Sequence, residues 1–374
     1  MKLFFYLSLS IILGLSSCRN EPQTDVALNQ DPPADYTIET VIEGLSNPWG
    51  MDWLPNGDLL ITEKNGEIYK WDGSSLKELT NVPEVYVRGQ GGLLDLAVHP
   101  DFAQNSWIYI TYSNDAGRGS GGNTQLTRAT LDGNSLTDLK RIYKAEPNTK
   151  VGRHFGSRIA FDAQNHVYFS VGDRGDRDNN PQDIKRDGGK IYRLHDDGRI
   201  PEDNPFVGVD GAREAIFSYG HRNPQGMARH PETGLIWSHE HGPKGGDEIN
   251  VLKKGANYGW PIITYGVNYS GSPITDETTR EGMEQPLYYW TPSIAPCGMA
   301  FVTGDRYPDW KGHLLVGSLK FNYVELVMLN GEKVLERIKI AEDVGRVRNV
   351  KMGPDGLIYL SIEGRGIFKI VPSE

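Results

Sequence analysis

Short apolar runs broken by Gly, Asp, Asn and Pro recur along this chain, and helical spacing of apolar positions is nearly absent. The segment from Asn47 through Trp53, then Pro55-Asn56-Gly57, then Asp58 through Thr62 reads as strand, tight turn, strand. A further strand, Gly66 through Trp71, follows it. The same phrase returns at Gly92 to Pro100 with Ile108 to Tyr112, and at Arg158 to Asp162 with Val167 to Val171 and Lys190 to Leu194. It returns again at Pro224 to Pro231, at Gly298 to Phe301 with Leu314 to Gly317, and at Val347 to Pro354 with Gly356 to Ser361 and Gly366 to Ile370. Six copies of a strand-turn-strand unit predict an all-β, six-bladed β-propeller, in which each blade buries its faces against its neighbours. Tyr36 to Ile42 has no hairpin partner of its own, so it is expected to complete the blade begun by the C-terminus and close the ring.

The propeller accounts for residues 36–374, and the N-terminus reads differently. Met1-Lys2, an apolar run from Leu3 to Leu15 and Ser16-Ser17-Cys18 form a signal peptide over residues 1–18. Its Leu-Ser-Ser-Cys ending resembles a bacterial lipoprotein box, which implies a lipid on Cys18 and a periplasmic or cell-envelope location. Residues 19–35, polar with Pro32-Pro33, suit a flexible tether. With Cys18 acylated, Cys297 is the one cysteine left, so no disulfide is expected, and Cys297 reads as a small buried residue.

Composition narrows the partners. Hydrophobic residues make up 38% and charged residues 24% of the 374, which indicates a globular body. The formal charge of -10, with no basic tract, excludes nucleic acid as a partner. The 44 glycines and 22 prolines fit many tight turns.

In a propeller the loops at one end converge over a central channel, so polar residues flanking each phrase should meet there. Those residues are Arg88-Gly89-Gln90, Arg153-His154, Asp173, Gly220-His221-Arg222-Asn223, His239 to Glu248, Ser318-Leu319-Lys320 and Arg346-Val347-Arg348. An imidazole beside a carboxylate makes a general base, and convergent Arg, Lys, Gln and Asn make a cradle for a planar polyanion.

Taken together, Gly89-Gln90-Gly91-Gly92-Leu93-Leu94-Asp95, Arg153-His154-Phe155-Gly156, Gly220-His221-Arg222-Asn223-Pro224-Gln225-Gly226 and Gly242-Pro243 with Asp247-Glu248-Ile249-Asn250 resemble the soluble quinoprotein glucose dehydrogenase family. The aldose sugar dehydrogenase branch matches best, over roughly Leu45 to Ile370. The resemblance implies pyrroloquinoline quinone (PQQ) and calcium as cofactors, an aldose sugar as substrate, and a quinone or cytochrome as the unidentified electron acceptor. It implies His154 as catalytic base, Asp173 as the acid that orients it, and Arg222 facing the reactive quinone carbonyl. Gln90, Arg222, Asn223, Lys320, Arg346 and Arg348 would contact the cofactor. The carbonyls of Gly242 and Pro243 would bind the calcium that bridges to PQQ, and Glu248 and Tyr258 a further structural calcium. Arg153 stands where the glucose dehydrogenase branch has an acid, which implies a broad aldose range, and no second calcium pair for a dimer is found, which implies a monomer. Trp290 and Tyr323 are candidates for the wall of the sugar site. Two other readings are a calcium-dependent lactonase and a non-catalytic propeller that binds carbohydrate or protein. The first needs an acidic calcium cage, which this basic mouth lacks; the second would have lost His154, Arg222 or Lys320, and all are present.

Overall fold

The computed structural model describes residues 26–32 and 35–373. The leader and Cys18 lie outside the described residues, as does most of the stretch before the propeller. Six antiparallel sheets form a ring of six blades. Their first strands are Pro48–Trp53, Leu93–Val98, Ile159–Phe161, Pro224–Arg229, Pro296–Phe301 and Val347–Met352. Each first strand packs on the next around the channel, and the sixth packs on the first. Tyr36–Glu43 pairs antiparallel with Gly366–Pro372 as the outer strand of blade six, so the ring closes as the pattern predicted. Within the stretch read as a tether, Leu28–Asn29 pairs in parallel with Lys333–Ile340, the outer strand of blade five. Helix is confined, among the described residues, to Phe102–Asn105 and a 3-10 turn at Pro308–Trp310.

Second strands read as fully buried apolar runs because both faces meet a neighbouring blade, and each carries a buried hydroxyl. Four of those hydroxyls reach the backbone of the next blade or of the loop leading into it. The Thr111 hydroxyl of blade two donates to the Ser157 carbonyl ahead of blade three at 2.6 Å, and Ser170 donates to Pro224 of blade four at 3.2 Å. Ser361 of blade six donates to Pro48 of blade one at 3.1 Å, which closes the ring polar atom to polar atom.

The channel is plugged by one arginine. Arg158, of blade three, is fully enclosed, and its Nη1 donates to Asp95 of blade two at 3.1 Å. Its Nε donates to the Gln225 carbonyl of blade four at 2.7 Å and its Nη2 to the Arg348 carbonyl of blade six at 2.6 Å. Cys297 of blade five lies 3.4 Å from Nη2, and the guanidinium stacks 4.0 Å over Trp49 of blade one. A guanidinium has a donor for each in-plane direction and an apolar face, so this one side chain touches all six blades.

Five first strands carry a register shift near their start, at Pro48/Met51, Leu93/Leu96, Pro224/Gly226, Cys297/Met299 and Val347/Asn349. A bulge turns a side chain out of the strand's alternation. Trp49, Leu94, Gln225 and Arg348 sit within four of these bulges, and all four line the cavity above the Arg158 plug.

Candidate active site

That cavity has a volume of about 790 Å³ and opens at the end where the leading loops and the turns between second and third strands converge. His154 stands in the loop leading into blade three, with a left-handed backbone at φ 56°. A non-glycine residue there costs on the order of 1 kcal/mol or more. The conformation is held by its own N–H, which donates to Gln90 Oε1 at 2.7 Å. The loop also presses on Gly172, where a Cβ would come within 2.4 Å of the His154 carbonyl, so only glycine admits this approach.

His154 Nδ1 lies 2.6 Å from Asp173 Oδ1. A carboxylate only accepts, so Nδ1 carries the proton and Nε2 keeps its lone pair. No group among the described residues bonds Nε2. Asp173 is fixed from several sides: Gly175 N–H donates to Oδ1 at 2.6 Å and Trp260 Nε1 to Oδ2 at 2.8 Å. Burial alone would raise the Asp173 carboxyl, but the hydrogen bond and charge of His154, with Arg222, outweigh it and hold the acid below its usual range. Burial pushes the His154 imidazole below the usual histidine range; the Asp173 hydrogen bond opposes this and Arg222 adds to it. His154 is therefore neutral at pH 7, with Nε2 ready to accept a proton.

Arg222 heads blade four beside this pair. Its carbonyl accepts the Asp173 N–H at 2.7 Å. Its Nη1 donates to the carbonyls of His241 at 2.8 Å and Gly242 at 2.7 Å, and the guanidinium lies 5.4 Å over Trp260. Asn223 accepts the Gly156 N–H through Oδ1 at 3.1 Å, which leaves its amide nitrogen for the cavity it lines.

The opposite wall is cationic. Lys320, Arg346 and Arg348 line it, together with Lys64. Lys64 donates to the Gly89 carbonyl at 2.7 Å, and burial and Arg348 push its ammonium below the usual lysine range. Glu363 accepts from Arg346 Nε at 2.7 Å and Arg348 Nε at 2.9 Å, which fixes both guanidinium planes. It is the one carboxylate among the residues lining the cavity.

Gln90, Asn223, Pro243, Lys320, Arg346 and Arg348 thus share the large cavity, with His154 at its edge through Gln90 and Phe155. Gly242, Glu248 and Tyr258 border a second, smaller space beneath Arg222. There Asn250 donates to both Glu248 at 3.2 Å and Glu240 at 3.4 Å, while its own Oδ1 has no partner. Burial and the neighbouring Glu240 push the Glu248 carboxyl well up. Two carboxylates crowded on one amide, with the unpartnered Asn250 Oδ1 among them, suit a hard cation, so the residues present fit calcium. Tyr258 can serve only through its main chain, because its hydroxyl donates to the Val251 carbonyl at 2.7 Å and accepts from Lys253 N–H.

The structure corrects one expectation. Trp290 and Tyr323 form no sugar wall; both are buried, and both donate to Glu325, at 3.0 and 3.3 Å. Aromatic chemistry at the opening comes instead from Tyr269, 74% exposed and lining the cavity. Lys64, Glu363 and Trp260 also escaped the sequence reading. Lys64 and Glu363 follow Thr62 and Ser361 just as Lys320 follows Ser318, so the repeat itself held the signal.

Residues 45–368 match the Glucose / Sorbosone dehydrogenase family. The chain belongs to this family, whose members oxidise sugars. Aldose sugar dehydrogenase YliI of Escherichia coli (strain K12) is 42% identical over 349 residues, 91% of this chain and 94% of that protein. The apo-form crystal structure of the soluble aldose sugar dehydrogenase from Escherichia coli superposes with a TM-score of 0.86 at 39% identity, over 91% of this chain and 100% of that one. A PQQ-bound aldose sugar dehydrogenase from Streptomyces coelicolor gives a TM-score of 0.74 at 28% identity, over 92% of this chain and 100% of that one.

Proposed function

We propose that this member of the Glucose / Sorbosone dehydrogenase family is an exported, PQQ- and calcium-dependent dehydrogenase that oxidises aldoses at the anomeric carbon to lactones. The observation that carries this reading is an imidazole with Nδ1 tied to Asp173 at 2.6 Å and Nε2 free, beside a cavity walled by cations. Bound PQQ would supply a quinone that takes the hydride, and calcium a Lewis acid that polarises it.

The chain's own residues do the rest. Nε2 of His154 receives the anomeric hydroxyl proton, and Asp173 stabilises the imidazolium that results. Arg222 holds a fixed positive charge where negative charge develops, and its position costs no reorganisation because two carbonyls already anchor it. Lys64, Lys320, Arg346 and Arg348 would hold the cofactor carboxylates, with Gln90 and Asn223 as neutral contacts. The carbonyls of Gly242 and Pro243 would face the bridging calcium, and Glu248 with the Tyr258 main chain a structural one. Electrons leave to a quinone or a cytochrome, and Arg153, exposed beside His154, favours a broad aldose range. We also assign the chain to the cell envelope as a monomer, held by lipid at Cys18.

The test is dye reduction by residues 35–374, with and without PQQ plus calcium, over several aldoses. Reduction that needs sugar and both additions, and is lost in His154→Ala while PQQ stays bound, is the expected result. Absence of any PQQ binding would overturn the proposal.

A further inference from the structure

Sugar oxidation loads two electrons onto the cofactor, and they must leave the protein. The described residues offer no relay of their own. The chain has two cysteines, of which Cys297 is buried and unpaired, and among the described residues no three His, Cys, Asp or Glu side chains gather to hold a redox metal. The acceptor must therefore come to the mouth of the cavity.

The rim of that mouth carries cations to which the proposed chemistry gives no part in holding the cofactor or moving the proton. Arg88 lies in the loop leading into blade two, Lys150 and Arg153 in the loop leading into blade three, and Lys244 in the turn after Ile236–Glu240 of blade four. In an antiparallel blade, leading loops and second-to-third turns share one end, so all four stand around the same opening. All four are exposed, and Lys244 lines the cavity itself. Arg88 Nε donates to the Lys150 carbonyl at 2.8 Å, which joins two of them into one lip. Arg346 is paired with Glu363, but none of these four is in an ion pair among the described residues. The Glu363 carboxylate and the cofactor's own carboxylates offset the wall cations, while the rim cations stay uncompensated in a chain of formal charge -10.

Large apolar side chains share this rim. Val87 is 48% exposed beside Arg88, Phe321 is 41% exposed beside Lys320, and Tyr269 stands opposite on the blade four lip. Val267, two residues before Tyr269, bridges to Lys244, so the aromatic and the cation ride on paired segments. Apolar spots set among like charges are the make-up of a protein-docking surface, and small electron-transfer interfaces lie at the low end of interface area.

We propose that this rim docks an acidic, one-electron redox protein over the cavity mouth once the lactone has left. The inference rests on the dehydrogenase reading above. Each turnover gives one electron to each of two acceptor molecules, and the two protons go to water through the open cavity. The cationic rim steers the acceptor toward the mouth, and the apolar spots seat its exposed redox centre.

Native cytochrome c, which is basic, and its succinylated form, which is acidic, present the same haem with opposite surface charge. Reoxidation of sugar-reduced holoenzyme should be about 10-fold faster with the succinylated form at low salt, and the gap should close near 0.15 M salt. Sedimentation of the cofactor-free protein should show binding of the succinylated form and none of the native one. Arg88→Glu with Lys150→Glu should reverse the preference while sugar-driven cofactor reduction without acceptor is unchanged. Equal rates for the two cytochromes, or a faster native one, would overturn the proposal. So would a salt-dependent preference for ferricyanide without one for the acidic cytochrome, which would mean capture of small anions. If sugar fails to reduce the cofactor at all, the dehydrogenase reading falls, and the binding arm on cofactor-free protein still decides whether the surface exists.

Discussion

Two buried histidine–carboxylate pairs sit one blade apart, His154 with Asp173 and His221 with Glu240, and they are built from the same parts. Each histidine lies in the loop leading into a blade; Asp173 lies just past a buried second strand, and Glu240 is the last residue of one. Each Nδ1 meets its carboxylate, at 2.6 Å for His154 and 2.9 Å for His221. The difference is at the far nitrogen. His221 Nε2 accepts from the Ser218 hydroxyl at 2.9 Å, and its ring stacks 4.5 Å from Tyr258. Glu240 is equally engaged, because Oε2 takes the Arg222 N–H at 2.5 Å. His154 leaves Nε2 unbonded beside the cavity. Composition and spacing do not separate a base from a strut here; the one unused lone pair does.

The comparison is sharpest when the free nitrogen is removed. His154→Ala should lower kcat by about 100-fold or more, the usual scale for a lost general base, with PQQ affinity little changed. Asp173→Asn should lower kcat less. It should also move the acid limb of the pH–rate profile to lower pH, because Asp173 works to raise the His154 proton affinity against burial. In the wild type that limb should itself lie below the ordinary histidine value of about 6.5, with activity rising as pH rises through it.

His221→Ala should lose stability without losing the chemistry. It strands the Glu240 carboxylate in the interior, a loss of about 3 kcal/mol or more seen as a lower melting temperature. Single-turnover reduction should survive in the fraction that folds. A smaller effect should appear on acidification. Burial holds His239 down to about 3 and His241 well below the usual range, so the folded chain keeps both neutral. The unfolded chain binds protons at about 6.5, so stability is full above that pH and falls below it until the folded groups titrate. Urea midpoints measured between pH 7 and pH 4 would show this slope. A flat profile would mean that those rings reach solvent.

Much of this was legible in the repeat. A strand-turn-strand phrase fixes where blades begin, and the unpartnered Tyr36 to Ile42 then has one place to go. The site residues were legible because leading loops and second-to-third turns must converge. What escaped was set by single-residue geometry. A bulge adds one residue without disturbing the apolar pattern, so nothing marked Trp49, Leu94 or Gln225 as cavity wall. Trp290 and Tyr323 lie near site loops in sequence, but both turn inward onto Glu325. Arg158 looked like the edge of a strand and is the centre of the ring, because contacts to six blades come from six distant segments.

The most direct measurement is single-turnover reduction of bound PQQ by an aldose, followed by absorbance, in His154→Ala and His221→Ala side by side with their melting curves. The account predicts that folded His154→Ala reduces PQQ at least about 100-fold more slowly, while folded His221→Ala reduces it at near the wild-type rate, although both melt early because each strands a buried carboxylate. Wild-type reduction in His154→Ala, or its loss in a fully folded His221→Ala, would contradict the assignment of the base.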